Sequence, residues 1–195
     1  MSQRIGLFGG AFDPPHIAHV ALARTALVQL RLDTLHILPT GNAWHKHRDL
    51  SASEHRLAMC HLAFDDLPGV VVNPLELNRE GPSYTVETLR SLQQASPDAE
   101  WFLLIGADQA RDFQRWKDWP EILQRATLVV ADRDPEAGQW HNSGLAKALH
   151  LQMPVLSVSA TDVRERLRQQ LPVDTLVPEA ILRYIDQQGL YAHYQ

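Results

Sequence analysis

Two histidines three residues apart, His16 and His19, are the residues of this chain best placed to do chemistry. They follow Gly9 and Gly10, and the apolar run before these glycines predicts a first strand over residues 5–8. Apolar residues then recur at helical spacing, so both imidazoles are expected on one face of a helix start. Glycines let a backbone approach a ligand closely, and a helix N-terminus attracts anions. The pattern therefore predicts a site for a nucleotide phosphate.

This turn differs from the common phosphate-binding loops. The chain has neither a G-x-G-x-x-G pattern nor a G-x-x-x-x-G-K-[ST] pattern, so we expect the histidines to replace the usual loop lysine. Pro14 and Pro15 suit a helix entrance, and Asp13 is a residue type that caps helices. A purely structural turn remains an alternative. Half of a zinc site is another, although one cysteine and no H-E-x-x-H motif leave it few partners.

The elements that must position this turn alternate between strand-like and helix-like stretches. Further strands are predicted over residues 35–39, 70–73, 101–105, 127–131 and 154–158. Helices are predicted over residues 53–65 with Ser53 as the cap, over 83–94, and twice after the last strand, the second from Pro178 to Gly189. Residues 132–152 are the least readable and are expected to form a loop with a helix. This alternation predicts an α/β fold with a doubly wound parallel sheet, which binds ligands at the carboxyl ends of its strands.

Composition predicts a compact enzyme rather than a nucleic-acid-binding or membrane protein. The 195 residues predict a single domain over 1–195, and 45% hydrophobic with 21% charged residues is ordinary for a globular chain. A net charge of −5 argues against a nucleic-acid-binding surface. We find no signal peptide and no run that could cross a bilayer, so a cytoplasmic location is expected. Cys60, the only cysteine, fits a reducing compartment and is expected to be buried on its helix.

Two segments resemble the nucleotidylyltransferase superfamily. Residues 9–19 resemble its signature G-G-[TS]-F-D-P-x-H-x-G-H, and residues 158–164, V-S-A-T-D-V-R, resemble its I-S-S-T-x-[IV]-R motif. Both follow a predicted strand. Ala18 replaces a glycine, adding a methyl group close to the expected nucleotide, and Ala160 replaces a serine; both departures bear on fine geometry. The resemblance implies a Rossmann-like sheet followed by a C-terminal helical segment.

Four further features resemble the bacterial nicotinate-nucleotide adenylyltransferases within that superfamily. They are a P-x-x-x-x-x-H-K loop over residues 39–46, P-S-Y-T-x-x-T-L over 82–89, G-x-D followed by F-x-x-W over 106–116, and the ending over 176–191. The resemblance implies an enzyme of NAD biosynthesis that transfers AMP from ATP to nicotinate mononucleotide, releasing pyrophosphate. Mg²⁺ is expected to accompany ATP, with no metal ligand from the protein. Small molecules are the expected partners, without nucleic acid or membrane.

The same resemblance implies roles for particular residues. The catalytic set is His16, His19, Lys46 and Arg164. The ATP-binding set is Gly9, Gly10, Phe12, His16, His19, Gly106, Asp108, Ser159, Thr161 and Arg164. Nicotinate mononucleotide is assigned to Lys46, Thr85 and Trp116. Without the resemblance, Asp108 and Thr161 are equally typical of helix caps, Lys46 and Arg164 of exposed charges, and Trp116 of a core.

The expected mechanism is direct in-line attack on the α-phosphorus of ATP. The phosphate of a mononucleotide is already an anionic nucleophile, and no activated serine or cysteine is evident, so a covalent intermediate is not expected. The hypothesis requires His16, His19 and Arg164 to meet around one polyphosphate. Alternative hypotheses are transfer to phosphopantetheine or nicotinamide mononucleotide, and a nucleotide sensor without turnover.

Overall fold

A computed structural model describes residues 2–41, 50–132, 145, 147–154 and 156–191. Within these residues, parallel strands form one six-stranded sheet in the order β3-β2-β1-β4-β5-β6. The strands are β1 (Arg4–Gly10), β2 (Thr34–Pro39), β3 (Val70–Val72), β4 (Glu100–Gly106), β5 (Thr127–Asp132) and β6 (Leu149–Gln152). The order reverses direction at β1, which pairs with β2 on one side and β4 on the other. The predicted α/β class and parallel sheet are confirmed.

Helices connect the strands and follow the last one. In the described part of the chain they are α1 (Ile17–Gln29), α2 (Ser53–Phe64), α3 (Thr85–Ala95), α4 (Ala107–Arg111), α5 (Trp119–Arg125), α6 (Ala160–Arg168) and α7 (Glu179–Gln188), with a 3₁₀ turn at Phe113–Arg115. None of these helices combines the length and the apolar character that a membrane span needs. Cys60 is buried on α2, as predicted.

The two faces of the sheet are covered by different helices. Because side chains alternate along a strand, Leu103 and Ile105 of β4 face one way while Phe102 and Leu104 face the other. The first pair belongs to a buried cluster with residues of α3 and α5. The second pair belongs to a cluster with residues of α1 and α2. Helices on both faces make the fold a Rossmann-like, doubly wound sheet.

A third buried cluster holds a C-terminal helical segment, as the resemblance implied. Its buried members are Ala18, Met59, Val158, Val163, Val177, Ile181, Ile185 and Tyr191. They join α6, α7 and the chain after α7 to α1 and α2. The Ile17 amide donates a hydrogen bond of 3.0 Å to the Leu176 carbonyl, which links the start of α1 to the C-terminal segment. The methyl group of Ala18 belongs to this packing.

The position of the last strand was predicted wrongly. The sixth strand is β6, which lies within the stretch expected to form a loop with a helix, and not at residues 154–158. The latter segment is apolar, but the Val158 amide donates to the Leu156 carbonyl at 3.0 Å, which folds the backbone into a tight turn. Val158 is buried in the cluster of the C-terminal helices, and Leu156 is partly buried against it.

Helix boundaries also show one error and one success. Ser53 is the first residue of α2 rather than its cap, because Ala52 takes that position and the Ser53 hydroxyl donates to Glu54 at 3.2 Å. The predicted end of α7 at Gly189 is confirmed. Gly189 has a φ of +60°, the left-handed conformation that glycine adopts at helix C-termini.

Candidate active site

A cleft opens at the carboxyl ends of the central strands, where the strand order reverses. Its lining includes Gly9 and Gly10 of β1, Thr40 after β2, Ile105 of β4 and Thr85 of α3. Open α/β sheets bind their ligands at this point, since the connections on either side of it run to opposite faces. The glycine turn predicted from the sequence therefore lies at the position where the fold favours a ligand.

The two histidines lie where this turn enters α1. His16 is the N-cap and His19 is in the first turn, and their rings stack with centroids 3.7 Å apart, so they lie on one face as predicted. The backbone amide of His16 donates to His19 Nδ1 at 3.1 Å. Because Nδ1 accepts a hydrogen bond, the ring proton of His19 lies on Nε2. His19 therefore presents an N–H donor of defined position to an anion.

Arg56, a buried arginine that the sequence analysis did not identify, links the β1–α1 turn to the chain after β2 and the chain before α2. Arg56 of α2 donates from Nη1 to the carbonyls of Ala11 at 3.0 Å and Thr40 at 2.8 Å. Its Nε donates to the Ser51 carbonyl at 3.0 Å. Only the apolar residues around it on α2 could have signalled this burial, since a helical arginine is typical of an exposed face.

Arg164 reaches the same turn from the C-terminal segment. Its Nη1 donates to the Asp13 carbonyl at 2.6 Å, three residues before His16, across 151 residues of chain. Its Nη2 donates to the Thr161 hydroxyl at 3.1 Å. The two sequence motifs are thus brought together as expected, and two guanidinium groups place positive charge beside the turn. A contact of Arg164 with a polyphosphate stays a prediction.

Ser159 and Thr161 lie at the start of α6. Ser159 is the N-cap, and its hydroxyl accepts from the Asp162 amide at 3.1 Å. The alternative in which Thr161 caps this helix is therefore wrong. Both hydroxyl-bearing residues are exposed, so they are accessible to a ligand.

Asp13 and Phe12 are buried inside the turn. Asp13 does not cap α1: its Oδ1 accepts from the Tyr191 hydroxyl at 2.6 Å and its Oδ2 from the Ser51 amide at 3.3 Å. The Phe12 ring packs edge-on against Phe8, with centroids 5.3 Å apart, and is 1% exposed. A contact between Phe12 and ATP would therefore involve its backbone.

The cleft holds two of the residues assigned to the mononucleotide. Thr85 and Trp116 line the same cleft as Gly9 and Gly10, so the structure brings these four residues together. Trp116 is half-buried, and its ring lies 5.3 Å from that of Phe113 between centroids. The Trp116 ring therefore gives the cleft an aromatic wall, which suits a flat heterocycle.

A pair of charged side chains at the surface, Lys117 and Glu87, lies beside these residues. Lys117 lines the cleft, donates to Glu87 at 2.9 Å and lies 4.1 Å from the centroid of the Tyr84 ring. The hydrogen bond with Glu87 raises the pKa of Lys117 and, in turn, lowers the pKa of Glu87. The lysine is consequently a cation at neutral pH.

Glu76 is a buried carboxyl group in the lining that the sequence did not single out. Its Oε1 accepts from the Thr88 hydroxyl at 2.8 Å, and Arg79 donates to that same hydroxyl at 3.2 Å. Burial raises the pKa of Glu76, because removing a charge from water favours the neutral form. Residues 74–82 carry no helical or strand periodicity, so no local pattern indicates that Glu76 is buried.

The remaining predicted residues divide between described and undescribed parts of the chain. Gly106 caps α4 and Asp108 lies exposed in its first turn, so the alternative in which Asp108 is the cap is wrong. A Cβ on Gly106 would lie 2.6 Å from Asp108 Oδ1, so a larger residue would displace that carboxylate. Lys46 lies outside the described residues. Among the described ones, no group of three or more His, Cys, Asp or Glu is placed to hold a metal ion.

The fold and the cleft define a class of nucleotide-binding α/β proteins. Residues 7–166 match the family model described as cytidylyltransferase-like. A protein of Albidiferax ferrireducens named a probable nicotinate-nucleotide adenylyltransferase is 52% identical, covering 97% of this chain and 98% of its own length. One of Methylibium petroleiphilum with the same name is 42% identical, covering 97% and 93%. The chain therefore belongs to the nicotinate-nucleotide adenylyltransferase family of enzymes.

A solved structure shares the whole fold despite low identity. Plasmodium falciparum nicotinic acid mononucleotide adenylyltransferase complexed with NaAD aligns with a TM-score of 0.79 at 19% identity. The alignment covers 97% of each chain. The Rossmann-like architecture is thus common to both proteins from end to end.

Proposed function

We propose that this chain transfers AMP from ATP to nicotinate mononucleotide, forming nicotinate adenine dinucleotide and pyrophosphate. The observation that carries the proposal is the stacked pair His16 and His19 at the end of the central strand, with the proton of His19 fixed on Nε2. The family of the relatives supports the choice of substrates. So does the NaAD named with the Plasmodium structure.

Catalysis in this proposal is positioning and charge stabilisation. The phosphate of the mononucleotide attacks the α-phosphorus, a new P–O bond forms, and the bond from the α-phosphorus to the bridging oxygen of pyrophosphate breaks. His16 and His19 donate to oxygens on which negative charge builds. Arg164 and Lys46 stabilise the departing pyrophosphate, and no protein nucleophile takes part.

The proposal gives each residue the binding contact that the family resemblance implies. The backbone at Gly9, Gly10 and Phe12, with Ser159 and Thr161, holds the phosphates of ATP. The ribose binds at Gly106 and Asp108. Trp116 stacks on the pyridine ring and Thr85 binds the nicotinate carboxylate; both residues line one cleft with Gly9 and Gly10, which supports this assignment.

Mg²⁺ enters with ATP in this proposal. The guanidinium and backbone N–H groups around the described turn bind phosphate oxygens, and the Asp13 carboxylate in the turn is already bonded to Tyr191 and Ser51. Mg²⁺ prefers oxygen ligands and keeps several waters, so phosphate oxygens and water would hold it. When bound, it neutralises phosphate charge. We place the reaction in the cytoplasm, where a single buried cysteine suits the reducing conditions.

The test is pyrophosphate release from ATP and nicotinate mononucleotide by the wild type and by His19→Ala. Loss of a donor that acts in the transition state is expected to lower kcat by roughly 100-fold or more, with a smaller effect on KM. His61→Ala is the matched control, because His61 is an exposed histidine of α2 bound to Asp65. Near-normal turnover by a folded His19→Ala enzyme would contradict the role. Wild-type release with nicotinamide mononucleotide in place of the acid measures substrate choice.

A further inference from the structure

The residue Tyr191 is brought back to the core by the way α7 ends. Gly189 takes the left-handed conformation after α7, and the Leu190 amide donates to the Ile185 carbonyl at 3.0 Å. Tyr191 itself has a φ of +65°. The chain therefore reverses over these residues and places the Tyr191 ring in the C-terminal cluster, where it is 4% exposed.

The hydroxyl of Tyr191 meets the catalytic turn at Asp13. It donates to Asp13 Oδ1 at 2.6 Å, and Asp13 is 1% exposed. A short hydrogen bond between two buried groups has little competition from water, so it holds its partners firmly. Asp13 also accepts from the Ser51 amide with Oδ2 and from Arg164 with its carbonyl. Three distant segments thus fix one residue.

We propose that Tyr191 is a positioning residue for the reaction, because its hydroxyl holds Asp13 and so fixes the turn that carries His16 and His19. The inference rests on the proposed function for its effect on rate. Asp13 lies three residues before His16, so rotation of Asp13 moves the backbone that leads directly to both imidazoles. A displacement of about 1 Å at a reacting centre can lower the rate by about 100-fold.

Tyr191→Phe removes the hydroxyl and keeps the ring. The apolar packing of Tyr191 with the C-terminal cluster is retained, so the variant separates positioning from packing. Tyr184→Phe is the matched control. The Tyr184 hydroxyl forms a 2.9 Å hydrogen bond with His55 Nδ1, which joins α7 to α2 without contacting Asp13 or the histidines of the turn. Each variant loses one phenolic hydrogen bond between the C-terminal segment and the rest of the protein.

The first measurement is steady-state pyrophosphate release by both variants. Tyr191→Phe is expected to lower kcat about tenfold while KM for ATP changes by less than about twofold, as for a misplaced donor that acts in the transition state. Tyr184→Phe is expected to keep the wild-type kcat. Wild-type kcat in Tyr191→Phe, or an equal loss in both variants, would overturn the proposal.

A second measurement does not depend on turnover. Nitrogen-15 correlation spectra of the histidine rings report the environment and tautomer of His19 directly. We expect the His19 signals to shift in Tyr191→Phe and to stay unchanged in Tyr184→Phe, whereas unchanged His19 signals in Tyr191→Phe would overturn the inference. If the wild-type protein released no pyrophosphate, the proposed function would fail and these spectra would still decide whether Tyr191 positions the turn.

Discussion

Two parts of the candidate site are built in different ways. At the β1–α1 turn, buried groups hold the backbone: Arg56, Arg164 and the carboxyl of Asp13. At α3 and the 3₁₀ turn, Lys117 and Glu87 pair at the surface beside a half-buried aromatic ring. Buried hydrogen bonds therefore hold the β1–α1 turn, whereas an ion pair at the surface lies beside Trp116.

This difference separates two tasks of a transferase. Groups that stabilise developing charge must be in place before the reaction, and buried hydrogen bonds provide that rigidity. Surface ion pairs are weak and are screened by salt, so they permit adjustment around a substrate ring. We therefore expect substitutions at the β1–α1 turn to affect stability and rate, and substitutions around Trp116 to affect substrate binding.

The largest expected effect is on stability, from Arg56→Ala. The substitution leaves three carbonyl oxygens without the guanidinium that they bind, and we expect a loss of about 3 kcal/mol in the free energy of unfolding. Urea denaturation measures the loss. Arg90→Ala is the control, because Arg90 pairs with Glu121 at the surface and should cost much less. Equal losses of unfolding free energy in the two variants would remove the contrast between the buried turn and the surface ion pairs.

The next effect is on substrate binding, from Trp116→Ala. Stacking of an aromatic side chain on a base contributes roughly 1–3 kcal/mol, so KM for the mononucleotide is expected to rise about tenfold with KM for ATP nearly unchanged. Initial rates at varied mononucleotide measure it. Trp119→Ala is the control, since Trp119 also packs near Phe113, at 6.5 Å, without lining the cleft. A similar rise in KM for both substrates would place Trp116 in the core only.

The smallest effect is on the pH dependence of stability, from Glu76→Gln. Because burial raises the pKa of Glu76 above its ordinary 4.5, the unfolded chain loses this proton first as pH rises. Wild-type stability therefore falls between the ordinary pKa and the raised one, whereas the side-chain amide of the variant would still accept from Thr88 without that fall. Unfolding measured from about pH 4 to about pH 7 should show the variant gaining relative to the wild type. Parallel pH profiles would contradict the raised pKa.

Local patterns made much of this predictable. The spacing of His16 and His19 predicted that they share a face. The glycine turn lies at the carboxyl end of the central strand β1 because strand, turn and helix are consecutive in sequence. The parallel sheet followed from the alternation of elements. β6 was misplaced because a short edge strand and a buried apolar turn have similar composition.

Contacts between distant segments could not be read from the sequence. Arg56 resembles any helical arginine until the chain folds around it, and Asp13 has the sequence context of a cap although its partner is Tyr191. Glu76 lies in a stretch without periodicity, so nothing local indicates its burial. These residues are defined by what other parts of the chain bring to them.

The Asp13–Tyr191 contact also has a consequence for how the protein folds during its own translation. The two residues are 178 positions apart, so the ribosome makes the histidine-bearing turn long before it makes Tyr191. A nascent polypeptide can form the first strands and helices while this anchor is still missing. The turn would then reach its final geometry only after Tyr191 has left the ribosome, and a polypeptide that stops before Tyr191 would lack this anchor.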